Sequence, residues 1–235
     1  MSGGEKARDD RSPAGPCLSP AQRQTFELIL RLLARERASV SSVTDDRAWK
    51  VHVADSLTGL EFTQLRDAAR IADVGSGAGF PGLILAVALP QGRVDLIEAV
   101  GRKCEFIQGA VDAGAISNAR VINARSEEWA RGEGREAYEA VTARAVGRLS
   151  TLAELASPLL SEDGVLVAWK GRRDEEEEAQ LARAAPQLGM HPEGVLSVGP
   201  YAGSRHRHLH LIRKRGDTPA DLPRRPGMAK KRPRG

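Results

Sequence analysis

The stretch Ile71-Ala72-Asp73-Val74-Gly75-Ser76-Gly77-Ala78-Gly79-Phe80-Pro81-Gly82 carries the densest chemical signal in the chain. Apolar residues of strand type lead straight into a turn with glycine at alternate positions, where a backbone without Cβ atoms bends sharply and approaches a ligand closely. Pro81 then suits the first turn of a helix, because its missing N–H costs nothing there. A turn of this kind, at the carboxyl end of a first parallel strand, is where nucleotide-like ligands bind. A phosphate-binding P-loop is excluded: Gly77 and Gly82 have its spacing, but Leu83 follows and no lysine reaches a phosphate. A dinucleotide fingerprint fits poorly, because its third glycine belongs where Phe80 stands and arrives here one residue early, at Gly79. Glu98 ends a second strand-like run, Val94-Asp95-Leu96-Ile97-Glu98, about 20 residues past the turn, where a carboxylate can accept hydrogen bonds from both hydroxyls of a ribose. Taken alone, an acid ending a strand is only a solvated charge.

These groups need a scaffold, and the rest of the chain supplies one. At 235 residues, with 41% hydrophobic and 28% charged residues, the sequence has the composition of a globular protein with one sizeable α/β domain. Short β-rich runs at 70–74, 93–97, 120–122, 140–143 and 165–169 alternate with helical segments starting near Pro81, Lys103, Leu149 and Asp174. This alternation predicts a doubly wound, mostly parallel, Rossmann-like sheet over residues 61–215. The runs 195–198 and 209–213 suit a closing antiparallel pair at one edge. Upstream, residues 19–60 read as a small helical annex, with Phe26, Ile29, Leu30 and Leu33 on one face of a first helix. A second helix is expected over 46–57, with Trp49, Val53 and Leu57 on one side. Residues 1–18 lack periodic apolar positions and predict a disordered arm. No apolar stretch approaches the roughly 20 residues of a membrane span, and no leader pattern is visible, so a cytoplasmic, membrane-free monomer is expected. Cys17 and Cys104 lie far apart in unlike surroundings, which suggests neither a disulfide nor a metal site. The net charge is only +4, but cations concentrate in a basic tail, residues 216–235, with Arg224, Arg225, Lys230, Lys231 and Arg232. A polyanion such as RNA is the partner such a cluster suits. The opposing reading is an undocked solubility aid, since Pro223, Pro226 and Pro233 discourage regular structure and little in the tail is apolar.

The pattern Asp-x-Gly-x-Gly-x-Gly resembles motif I of the class I methyltransferases. A longer ordered set is more specific. Gly75 to Gly82, then Gly101-Arg102-Lys103, Ser126-Glu127-Glu128, Ala143-Arg144-Ala145 and Trp169-Lys170-Gly171 resemble the motifs of the RsmG family, also called GidB. The upstream element His52-x-x-Asp55-Ser56-Leu57 is similar to that family's His-x-x-Asp-Ser segment, and the likeness extends from about Trp49 to Arg213. One departure is that the family's Asn-Leu-Thr segment reads Ser39-Val40-Ser41 here. The resemblance implies an S-adenosylmethionine-dependent enzyme that methylates N7 of a guanine in the 530 loop of 16S ribosomal RNA, as naked RNA or in the small subunit. It implies cofactor contacts from the turn (Gly75, Ser76, Gly77, Gly79, Phe80) and from Ser126, Glu127 and Arg144, with Glu98 at the ribose. For Ser126 a helix N-cap is the plain alternative.

Other residues narrow the chemistry. Ala143-Arg144-Ala145-Val146 stands where amine methyltransferases often carry an Asp/Asn-Pro-Pro-Tyr turn, and Cys104 is expected in a helix rather than beside a substrate, which disfavours covalent carbon methylation. Guanine N7 needs neither device, because its ring lone pair is nucleophilic and unprotonated at neutral pH. Arg144 and Lys170 are therefore read as positioning groups, His52 and Asp55 as a structural or RNA-facing pair, and no general base is expected. Ordinary ion pairs or satisfied buried polar groups are the alternative for all four. Rival functions stay open: a methyltransferase of a small molecule or another RNA, an NAD-dependent oxidoreductase, and a non-catalytic RNA-binding module.

Overall fold

A computed structural model describes residues 18–36, 41–45 and 47–235. The expected N-terminal arm, with Cys17, lies outside the described residues except for Leu18, as do Ser39, Val40 and Asp46. Seven strands form one sheet in the order β3-β2-β1-β4-β5-β7-β6. They are β1 (Arg70–Val74), β2 (Arg93–Glu98), β3 (Ala119–Asn123), β4 (Tyr138–Arg144), β5 (Leu160–Lys170), β6 (Met190–Ser197) and β7 (His208–Lys214). The first five are parallel; β7 runs antiparallel between β5 and β6. The order reverses between β1 and β4, so the crevice for a ligand opens at the carboxyl ends of those two strands.

Successive strand residues point to opposite faces, and both faces are covered. Ile71, Val94, Leu96, Val165 and Leu211 pack on one side; Ala72, Val74, Ile97, Leu166 and Ile212 pack on the other. The first layer holds α1 (Pro20–Arg35), the short α2 (Asp55–Leu57) and α3 (Thr63–Arg66), α4 (Gly82–Ala88) and α5 (Gly101–Ala113). Ser19 caps α1 through a reciprocal box with Gln22. Phe26, Ile29 and Leu33 of α1 sit in the same apolar cluster as Ile71 and Leu83, so this helix is a covering layer of the sheet. The other face carries α6 (Ser126–Trp129), α7 (Leu149–Ala156), α8 (Glu175–Ala184) and, from the far end of the chain, α9 (Met228–Lys231).

Some boundaries differ from those expected. The helix expected over 46–57 is a π-helical turn over Trp49–Ala54 running into α2, then a 3-10 turn over Thr58–Glu61. β6 begins at Met190 and contains Pro192, which its edge position tolerates. The acidic run at 174–178 opens α8: Asp174 accepts from the backbone N–H groups of Glu176 and Glu177. Among the described residues no helix is long and apolar enough to cross a membrane.

The segment after β7 is docked. Leu222 joins the core on the α7 side and Ala229 is buried. The Arg224 guanidinium donates to both oxygens of Glu154 on α7 at 2.5 Å, and Arg234 pairs with Asp221. The count of prolines concealed two small anchors: one leucine and one alanine suffice when backbone and arginine hydrogen bonds hold the remainder.

Candidate active site

The glycine turn is fixed from the neighbouring strand. The N–H groups of Gly75 and Ser76 donate to the Ile97 carbonyl at 2.9 and 3.2 Å. Gly77 N–H donates to Glu98 Oε2 at 2.8 Å, while Glu98 Oε1 accepts from Val100 N–H at 2.9 Å. Glu98 thus clamps the turn, and a carboxylate with about four acceptor positions keeps capacity for further donors. Gly75 and Gly77 adopt φ of +65° and +63°, left-handed values that side chains strain to reach. A Cβ on Gly75 would stand 2.8 Å from a methyl of Val146. Beneath the turn, Asp73 is fully buried: it accepts from Gly82 N–H at 3.1 Å and from the Thr142 hydroxyl at 2.8 Å, and burial pushes its carboxyl above the usual range.

A cavity of about 190 Å³ opens beside the turn, lined by Gly75, Glu98, Ser126, Glu127, Val146 and Thr151 among others. It has the features a nucleoside needs: a glycine wall that a Cβ would obstruct, an acid at the strand end, and apolar sides from Val74, Ile97 and Leu155. Ser126 is the first residue of α6 and not its cap, which is Arg125; its hydroxyl donates to Glu127 Oε2 at 3.2 Å. Glu127 Oε1 accepts at 2.7 Å from the backbone N–H of Gly227.

A second cavity, about 400 Å³, lies across the turn that follows β4 and is lined by His52, Asp55, Arg144, Lys170, Arg207 and His208 with their neighbours. Arg144 organises it. One guanidinium nitrogen donates to the Val51 carbonyl and to Asp55 Oδ2, both at 2.9 Å, and the other faces His52 Nδ1 at 3.4 Å. The Val43 carbonyl, 2.8 Å from His52 Nε2, can only accept, so the proton sits on Nε2 and Nδ1 presents its lone pair to Arg144. Burial lowers the imidazole pKa, which agrees with a neutral ring. His52 stacks on Phe80 with centroids 4.3 Å apart, and Arg144 lies over the same Phe80 ring at 5.8 Å. Lys170 donates to the Gly147 carbonyl at 3.1 Å and to Glu177 at 2.7 Å, fastening the turn that separates the cavities.

The structure places part of the expected set at two adjoining cavities, while Ser76, Gly77 and Gly79 line neither and Arg144, expected at the cofactor, borders the second alone. Gly75, Glu98, Ser126 and Glu127 border the first; His52, Asp55, Arg144 and Lys170 border the second. Phe80 is buried and serves as the surface on which His52 stacks. Arg225, Lys230, Lys231 and Arg232 are exposed, whereas Arg224 is engaged by Glu154. Sequence reading missed Val146, Thr151 and Gly227 at the first cavity and Arg207 at the second, where its Nε approaches Asp55 Oδ1 at 3.5 Å. Glu177 was also missed; its place in an acidic run concealed a specific contact with Lys170. Asp73, visible as the first residue of the glycine motif, turns out to brace the turn from below.

The strand order, the glycine turn and the acid ending β2 together define a class I methyltransferase fold. Solved structures agree on that fold: an S-adenosylmethionine-dependent methyltransferase from Aquifex aeolicus aligns with a TM-score of 0.55 at 16% identity, covering 76% of this chain and 98% of that one. The fibrillarin pre-rRNA processing protein of Methanococcus jannaschii aligns at 0.55 and 15%, covering 70% and 74%. The family model described as rRNA small subunit methyltransferase G (GidB) matches residues 23–209. Proteins named ribosomal RNA small subunit methyltransferase G are similar over most of their length. The one from Rubrobacter xylanophilus is 42% identical, covering 88% of this chain and 81% of its own, and that of Bacillus subtilis is 34% identical, covering 93% of each. The chain belongs to the rRNA small subunit methyltransferase G family and is a methyltransferase of that family.

Proposed function

We propose that this protein transfers the methyl group of S-adenosylmethionine to N7 of a guanine in the 530 loop of 16S ribosomal RNA. The observation that carries the reading is the placement of two cavities on either side of the Arg144–Gly147 turn, one suited to a nucleoside and one walled by cations and a neutral imidazole. The cofactor supplies a methyl carried on a positively charged sulfur, and the N–C bond forms at N7 as the S–C bond breaks.

For this chemistry the protein's task is placement. Gly75 to Gly79 and Glu98 hold the nucleoside half against the end of β1. Arg144, locked by Asp55, Val51 and His52, fixes the wall of the acceptor cavity; Lys170 fixes the turn between the cavities through Gly147. No proton needs removal from N7, in keeping with a neutral His52 whose Nε2 proton is engaged by a carbonyl. Asp55 balances the charge of Arg144 and Arg207, which border the same cavity. Exposed Arg225, Lys230, Lys231 and Arg232 face RNA phosphates as sequence-independent contacts.

The test is methyl transfer from labelled S-adenosylmethionine to small-subunit RNA and to small-subunit particles. Incorporation into either, abolished in a folded Arg144→Ala variant, supports the reading. Cofactor binding without transfer to any small-subunit RNA overturns its substrate half.

A further inference from the structure

The basic C-terminal segment lies against the first cavity. α7 presents Thr151 and Glu154, one helical turn apart and so on the same face. The Thr151 hydroxyl donates to the Ala229 carbonyl at 3.2 Å, and Glu154, 3% exposed, receives the Arg224 guanidinium. Gly227 N–H crosses to Glu127 Oε1 at 2.7 Å, linking residues 100 positions apart, and Arg131 reaches the carbonyls of Pro223 and Arg224 at 3.2 Å. Gly227, Ala229 and Lys230 are part of the cavity wall, together with Gly75 and Glu98.

We infer that residues 227–230, anchored by Arg224, are a built wall of the S-adenosylmethionine pocket, so that cofactor binding and docking of the C-terminal segment stabilise one another. The inference rests on the reading of this cavity as the cofactor site. The segment borders the cavity and leaves it open, which favours a wall over a plug. Its main bond into the pocket is made by a backbone N–H to a carboxylate that also faces the ligand space, so docking fixes the orientation of Glu127 before any ligand arrives. Lys230 joins Arg125 as a second cation on a cavity that is also bordered by the acids Glu98 and Glu127. Segment and cavity share α7, since Thr151 and Leu155 line one while Thr151 and Glu154 hold the other. A rigid element with both neighbours on one face transmits the coupling directly.

Coupling of this kind is reciprocal: the factor by which docking raises cofactor affinity equals the factor by which cofactor shifts the segment toward the docked state. Two measurements on the same protein read it. Calorimetry with S-adenosylmethionine compares the full chain with a chain ending at Pro223 that also carries Glu154→Gln, so that the buried Glu154 charge is not left without Arg224. Affinity is expected to fall at least about tenfold, within the ordinary range of such couplings. Trypsin treatment of the full chain, which needs no variant to fold, reads cleavage after Arg224, Lys230 and Lys231 with and without saturating S-adenosylhomocysteine; Arg225 and Arg232 precede prolines and are not cut. The ligand is expected to slow cleavage by a similar factor, provided reclosing outpaces cutting. Equal affinities with unchanged cleavage overturn the inference while leaving the cofactor site intact. Faster cleavage with ligand also overturns it, by showing that the segment is expelled. A full chain that binds no S-adenosylmethionine overturns the cofactor reading itself.

Discussion

Removing the Glu98 carboxylate tests the clamp on the turn together with the ribose contact proposed for it. In Glu98→Ala the N–H groups of Gly77 and Val100 lose acceptors at 2.8 and 2.9 Å, and the ribose hydroxyls of a bound nucleoside lose theirs. Val100 is 41% exposed and water can replace its bond, whereas Gly77 is half-buried on the ligand side of the turn. The stability cost is therefore that of about one charge-assisted bond, at the low end of about 1.5 to 3 kcal/mol. Cofactor affinity loses the ribose bonds and the clamp on the turn together. A loss of about 1.5 to 3 kcal/mol corresponds to a Kd raised about 10- to 150-fold. Calorimetry with S-adenosylmethionine, run beside urea unfolding of the same preparation, reads the two effects separately. A cooperatively folded Glu98→Ala protein whose Kd stays within twofold of the parent would refute the reasoning and reduce Glu98 to a structural clamp.

Three further outcomes are expected. Gly75→Ala forces a side chain to φ +65° and into Val146, costing about 1 to 2 kcal/mol from backbone conformation plus a contact term; adding Val146→Ala should recover only the contact term, and a parental urea midpoint in Gly75→Ala would contradict the geometry. Burial holds the His52 pKa below its ordinary 6.5, so the unfolded chain binds the extra proton first. The stability this contributes is complete above pH 6.5 and declines as pH falls from there toward the depressed value; His52→Gln should flatten the decline while His210, lowered in the same direction by burial, preserves part of it, and an unchanged slope would count against the assignment. Asp95, 1% exposed, accepts Arg120 in a two-pronged pair at 2.7 and 3.0 Å and the Tyr138 hydroxyl at 2.7 Å, so Asp95→Ala should cost about 3 kcal/mol, and urea midpoints within a few tenths of a molar would argue against it.

The sheet was legible because its strands are buried on both faces. Val165 to Trp169 is apolar without alternation and Ile71 to Val74 is interrupted only by Asp73, and the spacing of such runs suits helical crossovers. The glycine turn was legible for a local reason, since positive φ at Gly75, Gly77 and Gly79 selects glycine at alternate positions of the turn. What escaped were contacts made across long separations. Nothing near Glu127 announces that Gly227 will donate to it, and nothing near Glu154 announces Arg224. The C-terminal residues read as a charged tail because their composition is charged. Their docking depends on Leu222 and Ala229 meeting α7, which composition does not register. The π-helical turn over Trp49–Ala54 was hidden similarly, because its apolar residues keep a helical spacing while the backbone widens around His52 and its partners Val43 and Arg144.

The proposed methylation of one guanine at N7 is read most directly from the product. Small-subunit RNA lacking the modification would be incubated with the protein and labelled S-adenosylmethionine, digested with a base-specific nuclease, and its labelled fragment identified by mass spectrometry down to the nucleoside. The account predicts a single labelled fragment from the 530 loop that yields N7-methylguanosine, absent when Arg144→Ala replaces the parent enzyme. Label on a different base, on an exocyclic amine or ribose oxygen, or spread over many fragments would contradict it.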